Sequence, residues 1–507
     1  MKKLNLLFIA VLSMSSIMAQ DITDAVRYSQ DEVQGTARFR GMSGAFGALG
    51  GDMSAVSINP AGSSVFTNSH ASITLSNLST KNNINYFNGV SSSSDSKFDL
   101  NQTGAAFVFN NMNSSSAFKK FTLGVAYDKV SNYDNAWAVR GVNTNSNSIA
   151  EYFLSYAQGL RLDEISALNG ESLTKAYSEI NRLYGFGNQQ AFLGYKSYIL
   201  EPTADIDDNT SYTSNVAGNN FDQQYTYAST GYNGKFSFNA SSQVGDNFYF
   251  GLNLNSHFIN YDKFTNLSET NNNAGSLVNQ VRFQNGLSTI GSGFSFQLGA
   301  IGKINESFRA GLSYNSPTWY NISEETTQYL GTIRNEGGTN ISQIIDPLVV
   351  NVYPTYKLQT PGKFTGSLAY IFGDTGLISF DYSLKDYNNT KFKPTSDPYF
   401  AAQNNIMSTN LKNASTFRVG GEYRIMQVSL RGGYRFEESP YKDNSFYGDL
   451  NGYSFGLGYS FGTIKLDIAY DHAQRDYNQQ LYAVGLTDAA QIDSKNSNFT
   501  FTLGLSL

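Results

Sequence analysis

Apolar and polar side chains alternate over most of this chain, and this alternation limits its fold more than any other feature. Near the end of the chain every second residue from 499 to 507 is Phe or Leu, and the residues between them are polar or glycine. Alternation with a period of two is typical of a β-strand with one apolar face. The pattern recurs in about fourteen segments: 71–79, 102–110, 120–139, 225–243, 247–262, 287–304, 306–321, 357–372, 376–391, 412–426, 427–438, 451–463, 464–474 and 496–507. The sequence therefore predicts an all-β fold.

The connections between these segments alternate in length. Short turns lie at 245–246, 305–306, 373–376, 425–426 and 462–463, with a somewhat longer one at 111–119. Long polar connections lie at about 80–101, 140–224, 263–286, 322–356, 392–411, 439–450 and 475–495. Short turns at one end and long loops at the other are typical of a transmembrane barrel, whereas a soluble β-sandwich or secreted adhesin needs neither. We therefore expect a transmembrane antiparallel β-barrel of about 14 strands over residues 71–507.

Charged residues make up only 15 % of the chain, and many of them alternate with apolar ones. Because a charge facing lipid costs roughly 2–4 kcal/mol at mid-membrane, these side chains should face the lumen. They are Asp381, Lys385, Arg418, Glu422, Arg424, Arg431, Arg435, Glu437, Lys465 and Asp467. They either fill the lumen as a salt-bridged wall or line a route through it. The net charge of −6, without a basic patch, argues against a nucleic-acid partner.

The first residues have the pattern of a secretory signal peptide. Two lysines precede the apolar run 4–12, and small residues lead to Ala19. The apolar run is shorter than the ~20 residues of a spanning helix, which argues against a membrane anchor. We therefore expect residues 1–19 to be a signal peptide and the protein to lie in the outer membrane of a Gram-negative bacterium.

A glycine-rich segment, RGMSGAFGALGGDMSAVSINPAGSS at 40–64, precedes the first strand. Phosphate binding by glycines would need a preceding strand or a Gly-Lys-Ser/Thr motif, and the sequence has neither here. Small residues can pack where a Cβ atom would clash. We therefore expect residues 20–70 to form a plug, or hatch, inside the barrel lumen.

Three stretches carry a resemblance to a known family: GGDMSAVSINPAGSS at 50–64, QTPGKFTGSLAYIFGDTGLISFDYS at 359–383 and FRVGGEYRIMQVSLRGGYRFEESPY at 417–441. They are similar to the hatch and two hairpins of the FadL/TodX outer-membrane transporters of fatty acids and hydrocarbons. The resemblance implies passive uptake of hydrophobic small molecules, such as long-chain fatty acids, with hatch rearrangement and lateral exit beside a kinked strand. The hatch residues it indicates are Phe46, Gly50, Gly51, Asn59, Pro60, Ala61 and Gly62.

The third segment holds the candidate kink. Its alternation is regular through Tyr127 and then breaks from Asp128 to Trp137. Such a break predicts a bulge or kink at Asp128, Ser131 and Asn132, next to the hatch. Alternatively, the strand ends earlier.

The long external loop at 140–224 has helical periodicity. Its apolar residues fall on single helical faces, among them Phe153, Tyr156, Leu160, Tyr177 and Ile180. These side chains either line an external apolar groove for a ligand or pack as the core of a folded cap.

No motif in the sequence indicates catalysis. Ser454 fits G-x-S-x-G but lies within an alternating strand, and the three His residues are far apart. We expect a transporter, not an enzyme, with no cofactor and no metal. It should be a monomer surrounded by outer-membrane lipid and lipopolysaccharide. A general porin or a surface adhesin is the alternative.

Overall fold

Fourteen antiparallel strands form a closed barrel in the computed structural model, which describes residues 21–113 and 115–507. The strands are β1 (His70–Tyr86), β2 (Gly89–Asn110), β3 (Phe118–Asn132, continued by Asn135–Asn143), β4 (Phe221–Val244), β5 (Phe248–Thr270), β6 (Val278–Lys303), β7 (Phe308–Asn315 and Trp319–Glu336), β8 (Thr339–Ile345, Asn351–Val352, Tyr356–Gln359 and Lys363–Ile371), β9 (Gly376–Asp386 and Lys391–Lys393), β10 (Asn413–Ile425), β11 (Val428–Glu437), β12 (Leu450–Ser460), β13 (Ile464–Gln480) and β14 (Ala489–Ser506). Pairing of β14 with β1, from Ser506 opposite His70 to Gln491 opposite Asn85, closes the ring. The predicted fold class is confirmed, and the predicted signal peptide, residues 1–19, lies outside the described residues.

The two faces of the barrel wall have the chemistry that the alternation predicts. In β14, Phe499 and Phe501 are half exposed on the outer face, whereas Thr500 between them is fully buried. The same contrast recurs around the ring, with Phe, Leu, Ile and Tyr outside and Ser, Thr, Asn and charged residues inside. The outer face can therefore lie against lipid tails, while the lumen is polar.

Several of the predicted outer loops are extensions of the strands, so their predicted bounds are wrong. Residues 87–88 alone join β1 to β2, and residues 337–338 join β7 to β8. The connection from β5 to β6 is 271–277, and that from β13 to β14 is 481–488. Beyond the bilayer both faces of a strand can be polar while its backbone pairing continues. The alternation therefore marks the membrane-spanning part of a strand, not its full length.

The hatch folds inside the lumen as a series of short helices. Helix α1 spans Ile22–Ser29, and the short helix α2 spans Ala37–Arg40. Asp21 and Thr36 cap their first turns with side-chain oxygens. Two 3₁₀ turns follow at Ser54–Ser57 and Pro60–Val65. The hatch thus reaches β1 without contributing a strand to the barrel.

The external loop folds into a helical cap over the barrel mouth. It contains α3 (Ala150–Ala157), a 3₁₀ turn (Leu162–Glu164), α4 (Leu173–Tyr184), α5 (Phe186–Lys196) and a two-stranded ribbon (Leu200–Pro202 and Tyr212–Ser214). A 3₁₀ turn (Tyr387–Asn389) separates the two parts of β9, and another helix, α6 (Pro398–Asn410), lies between β9 and β10. None of the helices in the described residues has both the length and the apolar character needed to cross a bilayer.

Candidate functional site

The predicted hatch residues around Asn59 come together in one compact turn. The Asn59 side-chain amide donates to the backbone carbonyls of Gly47 (2.8 Å) and Ala300 in β6 (3.0 Å), and its oxygen accepts from the Ala61 amide (3.2 Å). The Gly51 amide donates to the Gly62 carbonyl at 3.0 Å. These bonds tie the turn to itself and to the barrel wall, so Asn59 acts as a structural anchor.

Close packing explains why this turn is rich in glycine. A Cβ atom on Gly50 would lie 2.7 Å from the Gly62 carbonyl oxygen, and Gly50 has a φ of +60°. Pro60 begins the following 3₁₀ turn, because its fixed φ suits a first helical position. Phe46 lies elsewhere in the hatch, where its ring packs against Phe39 with centroids 5.5 Å apart.

Glycines of the barrel wall let the hatch approach backbone to backbone. Added Cβ atoms would lie 2.3 Å from hatch backbone atoms at Gly251 and Gly311, and 2.5–2.6 Å from them at Gly433 and Gly420. Contacts this short leave no room for a side chain. The wall is therefore shaped around the hatch on several strands.

Charged side chains of the lumen hold the hatch in place. Arg38 of the hatch forms a two-bond ion pair with Glu422 (2.8 and 3.2 Å), which also binds Arg431 at 2.7 Å. Arg40, only 1 % exposed, binds Asp471 through two bonds of 2.7 and 3.0 Å. Two-bond arginine–carboxylate pairs are strong and directional.

Other lumen charges predicted from the sequence serve the same network. Asp381 accepts hydrogen bonds from the hatch amides of Phe46 and Gly47, each at 3.0 Å. Asp467 binds Arg431 at 2.6 Å, and Arg424 binds Glu422 at 2.6 Å. The sequence left open whether these residues form a salt-bridged wall or a transport route. In the structure Asp381 and Glu422 bind the hatch directly, whereas Asp467 and Arg424 bind other residues of the wall.

Substituting Glu422→Ala should loosen the hatch markedly. It leaves the buried Arg431 and the partly buried Arg38 without this carboxylate, a loss that costs about 3–5 kcal/mol. The rate of amide hydrogen exchange in residues 21–66, measured by mass spectrometry, should rise. The amides of strands far from residue 422 should stay protected. Asp163→Ala, which breaks the exposed Arg161–Asp163 pair, is the control. Unchanged exchange in the hatch would contradict the anchoring role.

The barrel wall is split at the predicted kink. The ladder between β2 and β3 runs from Asn110 opposite Lys120 to Gln102 opposite Asp128, and among the described residues no further backbone pair joins these two strands. The register of β3 against β4 shifts between Lys129 and Ser131. Strand β3 therefore continues past Asp128 but separates there from β2, while β2 stays paired with β1 up to Gly89.

Residues 30–35 of the hatch, here termed the gate strip, bridge the two edges of this split. On the β3 side, the Glu32 amide donates to the Val130 carbonyl at 3.1 Å, and the Ser131 hydroxyl donates to the Gln30 carbonyl at 3.2 Å. On the β2 side, Asn101 accepts from the Gly35 amide and donates to the Gln34 side chain, both at 2.5 Å.

The three residues predicted at the kink all contact the hatch. Asp128 accepts from the Ser57 hydroxyl at 2.7 Å, Ser131 binds the gate strip, and the Asn132 amide donates to Glu32 at 3.3 Å. The ion pair Lys129–Asp99 (2.5 Å) also crosses the split. Polar side chains thus make the contacts at the split, where backbone hydrogen bonds between β2 and β3 end.

Three cavities run through the lumen from the cap to the split. The tyrosine cavity, about 380 Å³, lies between the cap, α1 and the wall, and is lined by Tyr152, Tyr225, Tyr227, Tyr441, Tyr447, Tyr477, Tyr482 and Phe446 among others. Next is a middle cavity of about 180 Å³, which shares Gln30, Tyr447 and Tyr477 with it. Last is a gate cavity of about 110 Å³, lined by Asp128, Lys129 and Val130 of β3. No pattern in the sequence predicts the tyrosine cavity, because its rings come from distant segments of the chain.

A groove of about 510 Å³ lies on the outer face of the wall beside the split. Its floor has small residues, among them Ala71, Thr103 and Ala105, and its rim includes Tyr127 and Leu503. Tyr127 directly precedes Asp128, the residue at which the β2–β3 ladder ends and which lines the gate cavity inside. The inner cavity and outer groove therefore meet β3 at neighbouring residues.

The residues predicted for an external groove lie instead in the core of the cap. Phe153 and Tyr177 have no exposed surface and Ile180 is buried, while Tyr156 and Leu160 pack against the same cluster. The Tyr177 hydroxyl donates to Gln328 of β7 at 2.7 Å. Burial raises the pKa of Tyr177, so its phenol stays protonated and can donate. Within the described part of the chain, these faces of the cap helices pack against one another and against the wall.

The weaker sequence motifs also have structural roles. Ser454 lies within β12, and its hydroxyl is 2.8 Å from that of Ser43 in the hatch. His257 and Ser295 share a hydrogen bond in the lumen wall. Among the described residues, no group of three or more His, Asp or Glu side chains is placed to hold a metal ion.

The comparisons with known proteins place the chain in one family. The family model of the outer membrane protein transport protein (OMPP1/FadL/TodX) matches residues 201–506. A Pseudomonas aeruginosa FadL homologue has a similar fold, with a TM-score of 0.56 and 11 % identity over 94 % of this chain and 99 % of its own. The P. putida toluene transporter TodX matches with a TM-score of 0.52 and 11 % identity over the same shares. A search of curated sequences finds no significant match. The chain therefore belongs to the outer membrane protein transport protein (OMPP1/FadL/TodX) family, whose barrels lie in the Gram-negative outer membrane.

Proposed function

We propose that this protein is a passive channel that takes up hydrophobic small molecules, such as long-chain fatty acids, and that it is not an enzyme. The observation that carries the proposal is the series of cavities from the tyrosine cavity to the split between β2 and β3. Structures similar in fold include a FadL homologue and a toluene transporter, which agrees with a hydrophobic ligand.

The tyrosine cavity suits a hydrophobic ligand because eight aromatic side chains contribute to its lining, beside polar ones such as Gln30, and several of the aromatic hydroxyls already have protein partners. The Tyr447 hydroxyl donates to Gln30 at 2.9 Å, and the hydroxyls of Tyr227 and Tyr261 are 3.1 Å apart. Each methylene group that leaves water for such a surface gains about 0.8 kcal/mol. A chain of several methylene groups would therefore be held firmly.

The proposed route continues through hatch rearrangement to lateral exit between β2 and β3. Exit there would keep the ligand out of water, because the groove on the outer face begins beside the inner gate cavity. The gate strip bonds to both edges of the split and must shift for the ligand to pass. We further propose a monomer in contact with lipid and lipopolysaccharide, since the closed ring has no free sheet edge.

Filling the tyrosine cavity should block uptake without unfolding the barrel. Thr265, in β5, is buried and lines the cavity, so Thr265→Trp would place an indole in the space of about 380 Å³. We expect uptake of radiolabelled tetradecanoate by cells that lack their own transporter to fall to the background rate. Thr213→Trp, at an exposed position of the cap ribbon, should leave uptake unchanged.

Mass spectrometry of compounds that copurify with the protein gives a second readout. Wild-type protein should retain hydrophobic molecules that Thr265→Trp protein lacks. Normal uptake by a folded Thr265→Trp variant would contradict a route through this cavity.

A further inference from the structure

We propose that the periplasmic end of the barrel is a docking surface for an acidic segment of a second, soluble protein. The surface is a ring of five cationic side chains, here termed the basic rim, that face the lumen beside the short turns: Lys120, Lys303, Arg309, Arg424 and Lys465. The inference goes beyond the proposed function, because it concerns a partner protein and not the transported molecule.

Every member of the basic rim lies within three residues of its strand's end, at the end of the barrel that has the short turns. The five strands are β3, β6, β7, β10 and β13, so the ring includes widely separated parts of the wall. Because the short turns of such barrels lie in the periplasm, the rim faces that compartment.

Contacts of the rim residues show that their side chains point toward the lumen. The Lys120 ammonium donates to the hatch carbonyls of Ser64 at 3.0 Å and Phe66 at 2.6 Å. The Lys303 ammonium lies 5.3 Å from the centre of the Tyr249 ring, which is buried inside the barrel. The rim therefore surrounds the base of the hatch, and the wall separates it from the lipid head groups outside.

Little negative charge balances the basic rim. Arg424 binds Glu422 at 2.6 Å, and the other four rim residues form no ion pair within the described part of the chain. Arg309, for example, donates to the neutral carbonyl of Leu49 at 3.2 Å. Cations without a carboxylate partner that are partly open to water attract acidic groups from solution.

The acidic side chains at this end lie in the turns or are already paired. Asp246, Glu306 and Asp374 are exposed residues of three short turns. Glu422 and Asp467, which follow on the same strands as rim residues, bind arginine side chains. A partner would therefore meet positive charge inside the ring and negative charge at the turns. This distribution fits a narrow acidic segment better than a broad acidic surface.

The basic rim contrasts with the acidic character of the whole chain, whose net charge is −6. The helical cap at the opposite end, residues 150–210, contains nine acidic and four basic side chains. Opposite charges at the two ends attract an acidic molecule to the periplasmic end and repel it from the external end. The charge pattern thus points to a partner that approaches from the periplasm.

The test measures binding of a fluorescent peptide of glutamates to full-length protein in a nonionic detergent. Lys303→Gln/Lys465→Gln removes two rim charges that hold no hatch carbonyl, so the hatch should stay in place. We expect this variant to weaken peptide binding by roughly tenfold or more, and added salt to weaken binding to the wild-type protein. Lys81→Gln/Lys357→Gln removes two exposed lysines from the external parts of β1 and β8, and should bind within about twofold of wild type.

Fluorescence quenching locates the bound peptide. Because the sequence contains no cysteine, Asp374→Cys carries a single dye in a short turn and Asn169→Cys carries one in the cap. A quencher on the peptide should dim only the dye in the turn. Equal peptide binding by the two lysine variants, quenching in the cap, or no binding by the wild-type protein would overturn the inference. Each of these results would leave the uptake of hydrophobic molecules standing.

Discussion

Deleting residues 20–62 should turn the closed barrel into an ion-conducting pore. The short helices of the hatch fill the lumen. Ion pairs such as Arg38–Glu422 and Arg40–Asp471 hold the hatch to the barrel wall. Without it, the wall keeps its ladder, including the closing pair of β1 and β14, but encloses a polar, water-filled space. In planar bilayers, the full-length protein should show no resolved current and the deletion variant should show discrete single-channel steps.

The same deletion distinguishes a hydrophobic channel from a general porin or an adhesin. In the proposed function, the deletion removes the gate strip and part of the lining of the tyrosine cavity, including Arg27 and Gln30, so tetradecanoate uptake should no longer saturate. A general porin would pass small polar solutes at the same rate with and without residues 20–62. Equal flux of such solutes through both proteins would therefore contradict the role of the hatch.

Cross-linking the gate strip to β2 should abolish uptake, and cleaving the cross-link should restore it. The Gln34 and Asn101 side chains are in contact at 2.5 Å across the edge of the split. Because the sequence contains no cysteine, Gln34→Cys/Asn101→Cys introduces the only thiols. A short bis-methanethiosulfonate linker would then fix the strip in the split, and a reductant would release it. Uptake of tetradecanoate by treated cells, before and after reduction, is the measurement.

A matched cross-link within an intact part of the wall is the control. Ser76 and Thr500 pair directly between β1 and β14, and their hydroxyls are 2.9 Å apart. No opening is proposed there, so Ser76→Cys/Thr500→Cys should transport normally when cross-linked. Uptake at the normal rate by fully cross-linked Gln34→Cys/Asn101→Cys protein would rule out lateral exit past the gate strip.

Much of the architecture could be predicted because it depends on local patterns. The alternation near Phe499 and Phe501 places one face against lipid whatever the rest of the chain does. The glycines around Asn59 likewise indicate a segment that packs too closely for side chains. The alternation of apolar and polar residues is lost where a strand extends beyond the lipid into water. The polar extensions of β1 and β2 therefore resemble loops in the sequence.

The functional cavities could not be predicted in the same way, because their residues are distant in sequence. The tyrosine cavity combines Tyr152 of the cap with Tyr227 of β4 and Tyr477 of β13. No period along the chain relates these rings. The external loop shows the converse, since its helical periodicity was correct as a pattern but could not say whether Phe153 faces a ligand or a core.

By itself, the sequence determined that this chain would form a membrane barrel with a small-residue plug, because alternation and steric room are properties of neighbouring residues. Only the tertiary structure decided which lumen charges meet and where the wall opens. Asp31 lies more than 330 positions from Lys363 in the chain, yet their charged groups are 2.9 Å apart. Such contacts follow from closure of the ring around the hatch, which brings distant residues together with geometry that no local pattern encodes.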